Sequence, residues 1–209
     1  MSEKYIGRLL SASTRMCAAG CPAGQPLPDF GTLVSIPLDD ELKAYGLVTD
    51  IHIDDDGLVR QLAISGSIPT EVIEDNRVNR NVPVELSVLF IGHARGEHIS
   101  HLLPPRPPLS LDSIYSCDNK EIARFTSAGR LGYLRHILGT EDVPTADLLA
   151  AHLLQTGSIH ADGLWLRSAV QEIITLLRDD HATLSAVLGA IADAFPEFMA
   201  SQTAVGGGL

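Results

Sequence analysis

Three histidines near the middle of the chain, His93, His98 and His101, are of the residue type that most often binds a metal ion. If Arg95 and Gly96 form a hairpin turn, His93 and His98 lie opposite each other on adjacent strands and leave the same face. The two imidazoles could then share a cation or form a pH-sensitive pair. His101 follows His98 by three residues, so it points to the other face of a regular strand. His93 and His98 are therefore the candidate metal ligands, with ordinary surface histidines as the alternative.

Two cysteines, Cys17 and Cys21, are separated by three residues and could supply two thiolates of a zinc site. A second pair that would complete such a site is missing, because Cys117 stands alone. The pair could also form a labile disulfide or remain as reduced thiols in a loop, since its spacing differs from the Cys-x-x-Cys of redox proteins. The odd number of cysteines suits a reducing compartment, so we expect a cytoplasmic protein.

The sequence lacks the common catalytic motifs. None of its lysines, Lys4, Lys43 and Lys120, follows a glycine, so the Gly-Lys pair of a phosphate-binding loop is absent and a Walker-type ATPase is excluded. The glycine-rich dinucleotide motif and Gly-x-Ser-x-Gly are absent as well. The acidic run 54–56 before Gly57 is predicted to be a hairpin tip, because a calcium loop placed around Gly57 would lack its final glutamate. We predict no catalytic residue and no cofactor.

The elements that must position these residues divide the chain in two, and residues 1–103 form the strand-rich part. Val84, Leu86, Val88 and Phe90 alternate with other residues, which is the period of a half-buried strand. Asp-Gly before a second apolar run predicts a hairpin into Leu58–Ile64. The other predicted strands are Tyr5–Leu10, Thr32–Ile36, Leu47–Ile53, Val82–His93 and Glu97–Leu103. About six short strands with tight turns predict a small antiparallel β-barrel.

Residues 118–200 show the helical period instead. Two consecutive amphipathic helices are predicted at 164–195, with a break at Asp179-Asp180 and an end at Pro196. Another helix is expected to start after Asp118. An earlier one is expected to carry Pro144 in its first turn. The predicted fold class is therefore α+β, with the small antiparallel β-barrel followed by a C-terminal helical region.

Two further segments complete the predicted organisation. Residues 104–117 contain four prolines in the five positions from Pro104 to Pro108, which predicts an extended connector between barrel and helices. Residues 201–209 end in Gly-Gly-Gly-Leu and are predicted to be a flexible tail. The predicted units are thus 1–103, 104–117, 118–200 and 201–209.

The composition of the chain restricts its ligands. The 209 residues include 45% hydrophobic and 20% charged residues, which is typical of a globular protein. The formal net charge of −11 repels phosphate backbones, so we do not expect direct binding to nucleic acid. No apolar run reaches the roughly 18–20 residues of a membrane span, so no membrane partner is expected.

Three stretches in the predicted barrel together resemble a known family. They are Ile6-Gly7-Arg8-Leu9-Leu10-Ser11-Ala12-Ser13, Gly31-Thr32-Leu33-Val34-Ser35-Ile36 and Tyr45-Gly46-Leu47-Val48-Thr49-Asp50-Ile51. Their order is similar to that of the HerA–ATP synthase barrel, or HAS-barrel, over residues 4–108. The resemblance implies a barrel that helps subunits assemble into a ring and contributes to partner docking. The P-loop ATPase domain that follows the barrel in this family is absent here, so motor activity is not implied.

These observations favour a non-enzymatic assembly or adaptor protein that uses a HAS-like barrel. Its partners would be another protein or further copies of the chain. The residues expected to mediate contact are exposed turn and connector residues: Arg95, Gly96, Pro104, Pro105, Arg106, Pro107 and Pro108. One alternative is a metalloprotein or enzyme with a site at His93 and His98. A second alternative, by analogy with the usual partners of HAS-barrels, is an accessory factor of a DNA-processing ATPase machine.

Overall fold

The structure, a computed structural model, describes residues 3–22, 25–53, 57–78, 83–141, 143–160 and 163–196. The described strands are β1 (Lys4–Ala12), β2 (Met16–Cys21), β3 (Leu33–Pro37), β4 (Leu42–His52), β5 (Val84–Arg95), β6 (His98–Ser100) and β7 (Ser113–Ser116). The described α-helices are α1 (Leu58–Ala63), α2 (Thr70–Val78), α3 (Asn119–Ser127), α4 (Leu134–Leu138), α5 (Thr145–Gly157), α6 (Leu164–Leu176) and α7 (His181–Ala194). The acidic run 54–56 and the predicted tail 201–209 lie outside the described residues.

Six strands close into an antiparallel barrel, which confirms the predicted fold class. Their order around the barrel is β2, β1, β7, β3, β4 and β5, and β5 pairs with β2 to complete the circle. Strand β6 pairs with β5 as a short hairpin extension. Closure gives the barrel strands neighbours on both sides, so the barrel avoids the open sheet edges that template aggregation.

Two of the barrel strands are not predicted by the sequence pattern. Strand β2 reads Met-Cys-Ala-Ala-Gly-Cys, and its small residues carry little strand propensity. They fit because β1 and β2 approach closely: a Cβ added to Gly7 would lie 2.2 Å from the Gly20 carbonyl oxygen. Strand β7 lies inside the segment 104–117 that is predicted to be a connector, and it pairs with both β1 and β3. The barrel therefore extends past residue 103.

The predicted hairpin into Leu58–Ile64 is wrong, because this segment forms helix α1. Val59, Leu62 and Ala63 have the i, i+3, i+4 spacing of a helix face, which prevails over the Asp-Gly turn pattern. Gly57 precedes the helix with φ of 79°, a conformation that favours glycine. Helix α2 follows, so the connection from β4 to β5 is helical.

Two hydrophobic cores lie on opposite sides of the barrel wall. The first fills the barrel interior and includes Ile6, Cys17, Cys21, Val34, Ile36, Val88, Phe90 and Ile114. The second joins the outer face of β3, β4 and β5 to the helices and includes Tyr45, Leu47, Ile91, Phe125, Tyr133, Leu149, Leu153 and Ile173. Strand β5 supplies both cores from alternating positions, because successive side chains of a strand point to opposite faces.

The predicted ends of α3 and α7 are confirmed, whereas Pro144 is the N-cap residue of α5 and does not lie in its first turn. The Asp118 carboxylate accepts a hydrogen bond from the Glu121 backbone N–H at 2.9 Å and caps α3. Asp180 caps α7 in the same way through the Thr183 N–H, at 3.1 Å. Helix α7 ends at Ala194, ahead of Pro196. None of the helices formed by the described residues has the length and apolar character needed to cross a membrane.

Candidate functional site

The predicted opposition of His93 and His98 is wrong by two positions. The hairpin turn is formed by Gly96 and Glu97, so Arg95 pairs with His98 and His93 lies opposite Ser100. A two-residue turn with positive φ at its first position fits Gly96, whose φ is 54°. His93 Nδ1 lies 3.0 Å from the Leu102 carbonyl oxygen. Among the described residues, no group of three or more His, Cys, Asp or Glu side chains is placed to hold a metal ion.

His101 is buried, whereas the sequence indicates a surface residue. Its Nε2 donates a hydrogen bond to the Phe125 carbonyl oxygen at 3.1 Å, and its ring lies against Phe125 and Tyr133. Burial lowers the pKa of His101 below the usual range. Its backbone carbonyl accepts hydrogen bonds from Arg135 and His136. His101 therefore joins the end of the β5–β6 hairpin to helices α3 and α4.

The three cysteines are free thiols, but Cys17 and Cys21 lie in strand β2 and not in a loop. Four residues along one strand separate their Cα atoms by about 13 Å, which is too far for a disulfide. Burial raises the pKa of Cys17 to about 12 and that of Cys21 to about 11. It also raises the pKa of Cys117. Because the thiolate is the reactive and metal-binding form, these cysteines are poor nucleophiles and poor ligands.

We expect the native thiols to react with Ellman's reagent roughly a hundredfold more slowly than unfolded cysteine, because burial suppresses the thiolate. Guanidinium should release all three thiols at once. The matched control is Ser127→Cys, which adds a cysteine at an exposed position of α3 and should react rapidly in the native protein. Rapid native reaction of wild-type protein would mean that the barrel opens to solvent.

A half-buried polar cluster lies where helix α3 meets the barrel wall. Glu121 Oε1 accepts hydrogen bonds from Lys43 Nζ at 2.9 Å and from the Tyr45 hydroxyl at 2.8 Å. Burial alone would raise the pKa of Glu121, but these hydrogen bonds outweigh it and the pKa is lowered. Burial and the Glu121 charge raise the pKa of Tyr45. Neither group exchanges its proton near neutral pH, so the cluster holds α3 on the barrel and offers no acid–base pair.

The predicted contact residues divide into exposed and buried positions. Arg95, Gly96, Pro105, Arg106 and Pro107 are exposed, whereas Pro104 and Pro108 are buried. The exposed ones meet at the β3–β4 turn. Arg106 forms an ion pair with Asp39, and the Gly96 N–H donates to the Glu41 carbonyl oxygen at 2.8 Å. The two predicted segments therefore lie at one end of the barrel.

Sequence reasoning missed a helical arm between β4 and β5, which we define as residues 57–78. Among the described residues, neither α1 nor α2 packs extensively on another element. Ile64 is 84% exposed and Val72 is 42% exposed. The helical spacing of residues 59–63 is the sequence pattern that could have revealed the arm.

A second exposed apolar surface, the leucine patch, consists of Leu10, Leu109 and Leu111. Leu109 is 73% exposed and Leu111 is 66% exposed. The Leu111 N–H donates to the Leu9 carbonyl oxygen at 2.8 Å, and Arg8 Nη1 donates to the Leu111 carbonyl oxygen at 2.9 Å. Leu111 has φ of 72°, a conformation that costs a non-glycine residue about 1–2 kcal/mol. These bonds hold the patch against the end of β1.

Comparison of the chain with protein-family models and with curated proteins finds no match.

Proposed function

We propose that this protein is a non-enzymatic assembly protein that associates with further copies of itself. The observation that carries the proposal is the helical arm, which presents Ile64 and Val72 to solvent away from both hydrophobic cores. The resemblance to HAS-barrels, whose subunits assemble into rings, supports the same function.

The two helices of the arm are so short that packing against a partner would stabilise them. Helices α1 and α2 have six and nine residues. Isolated helices shorter than about 12–15 residues are marginal in water, so most of their stability must come from packing. Burying a side chain such as Ile64 contributes about 1.5–3 kcal/mol, which a neighbouring subunit could provide.

The proposed occupant of this surface is the leucine patch of a second copy. Among the described residues, the arm and the patch are separate exposed apolar surfaces that lie on different elements. Contact between different surfaces of identical subunits is heterologous and closes into a ring when the rotation permits. A head-to-tail arrangement therefore satisfies both surfaces at once. The free thiols agree with a cytoplasmic location for such an assembly.

Ile64→Glu and Leu109→Glu should each convert the assembly to monomers in sedimentation velocity at micromolar concentration. Each substitution places a charge in an apolar contact, whereas both positions are exposed in the single chain, so folding is preserved. Leu176→Glu is the matched control, because Leu176 is another partly exposed leucine outside both surfaces. It should leave the sedimentation coefficient unchanged.

An equal mixture of the Ile64→Glu and Leu109→Glu proteins tests the head-to-tail arrangement. The Ile64→Glu protein keeps its leucine patch and the Leu109→Glu protein keeps its arm. One molecule of each can therefore pair, and the mixture should form dimers and no larger species. A wild-type protein that stays monomeric over the micromolar range would contradict the proposed function. Assembly that survives both substitutions would contradict the proposed surfaces.

A further inference from the structure

We propose that a small cavity between the β1–β2 turn and helix α4 binds the phosphate group of a small molecule. The cavity has a volume of about 90 Å³ and is lined by Arg15, Arg135 and His136. The rest of its lining consists of Leu89, Phe90, Leu103, Gly139 and Thr140. This site is independent of the proposed assembly surfaces.

The lining of the cavity is basic although the chain as a whole is acidic. The whole chain carries a net charge of −11, yet no described acidic side chain lines this cavity. None of the ion pairs between described residues involves Arg15 or Arg135. Two arginines that line one small cavity without a carboxylate repel each other, and an anion bound there would offset that repulsion.

Hydrogen bonds to the backbone and to Ser13 hold the residues that line the cavity. Arg135 and His136 both donate to the carbonyl oxygen of His101, and the His136 bond is 2.8 Å long. On the other side, the Phe90 N–H donates to the Arg15 carbonyl oxygen at 2.8 Å, and the Arg15 N–H donates to Ser13 Oγ at 3.2 Å. The Arg15 backbone and the Arg135 side chain are thus held in place, which reduces the entropy lost when a ligand binds.

The size and surroundings of the cavity identify the ligand class. A volume of about 90 Å³ is far below that of a drug-sized ligand site and suits a single tetrahedral oxyanion. Guanidinium groups match phosphate oxygens in geometry and can bind them through two parallel hydrogen bonds. The apolar side chains in the lining lower the local dielectric constant and strengthen the attraction between guanidinium and phosphate. The phosphate could be free or could be the terminal group of a larger molecule that extends into solvent.

Titration with inorganic phosphate and with phenyl phosphate, followed by amide NMR shifts at constant ionic strength, tests the site. We expect saturable binding in the millimolar range, with shifts at the β1–β2 turn and at residues 135–140. Tighter binding of phenyl phosphate would identify the terminal group of a larger molecule as the ligand, and tighter binding of inorganic phosphate would identify the free ion. The titration is made in the Ile64→Glu protein, so its outcome does not depend on self-association.

Arg15→Gln and Arg135→Gln should each weaken binding roughly tenfold, since each removes a charged hydrogen-bond donor. Arg167→Gln is the matched control, because Arg167 is exposed on α6 and lies outside the cavity; it should not change the affinity. The Arg15 side chain is exposed, so Arg15→Gln remains interpretable even if Arg135→Gln disturbs the fold. Shifts that do not saturate, or equal weakening by Arg167→Gln, would overturn the proposal.

Discussion

Phe125→Ala should lower the free energy of unfolding by about 3–5 kcal/mol, the usual cost of truncating a fully buried phenylalanine. Phe125 lies on α3 against Tyr45 of the barrel wall, with ring centroids 4.7 Å apart. It also contacts His101 and Tyr133, at 4.9 and 5.5 Å between centroids. The truncation leaves a cavity between the barrel and the helices that rigid neighbours cannot fill. Urea denaturation followed by Trp165 fluorescence and by circular dichroism measures the loss.

Leu176→Ala provides the comparison for this substitution. Leu176 lies on α6 and is 41% exposed, so its truncation should cost less than about 1 kcal/mol. Because Phe125 packs the helices against the outer face of the barrel, we expect fluorescence and circular dichroism to report a single transition in both variants. Comparable losses for the two substitutions, or separate transitions of barrel and helices, would contradict the role assigned to Phe125.

Acidification from pH 6.5 to about 4 should remove about 3 kcal/mol of stability through His152 alone. Burial lowers the pKa of His152 from 6.5 to about 4. The imidazole Nδ1–H donates to the Gly31 carbonyl oxygen at 3.2 Å, and the Tyr133 hydroxyl lies 3.1 Å from Nε2 and donates to it. Below pH 6.5 the unfolded chain takes up a proton that the folded protein excludes. Above pH 6.5 His152 is mostly neutral in both states and does not lower the free energy of unfolding. As the pH falls below 6.5, the free energy of unfolding decreases.

Measurements of unfolding free energy at several pH values test this dependence. His101 and His136 also have lowered pKa values because they are buried, so they add to the loss in the same direction. Carboxyl groups such as Asp118 titrate at lower pH, because their pKa values are lowered from 3.8. His152→Gln should flatten the dependence between pH 6.5 and 5, whereas His98→Gln, at an exposed position, should leave it unchanged. An imidazole NMR titration with His152 protonated near pH 6.5 would contradict the assignment.

The sequence predicts those parts of the fold in which side-chain periodicity and local chemistry agree. The cap at Asp118 and the break before α7 follow from short-range hydrogen bonding, and the structure has both. Strand β5 alternates over its first half, and this alternation is visible in the sequence. The two missed barrel strands fail for opposite reasons. Strand β2 is rich in small residues of low strand propensity, which the close approach of β1 requires. Strand β7 has only four residues, which is too short for a clear alternating pattern.

The surfaces were harder to predict than the fold. The hairpin that carries His93 and His98 was expected, but its register depends on whether the turn occupies residues 95–96 or 96–97, and sequence pattern does not decide this. Arg15 and Arg135 are separated by 120 positions and meet only because the β1–β2 turn and α4 both pack near β5. The same holds for Leu10 and Leu111, which lie together because β7 pairs with β1. Such juxtapositions arise from long-range topology, which carries no local sequence pattern.

The position of β7 in the chain has a consequence for synthesis on the ribosome. Strand β1 is made first, but the strand that covers one of its edges ends at Ser116, beyond the proline-rich segment. The nascent chain must therefore carry an uncovered strand edge while about half of the protein is translated. At about 5–20 residues per second this delay lasts for several seconds. The edge of β1 along which Lys4 and Arg8 face β7 is thus vulnerable only before translation reaches residue 116.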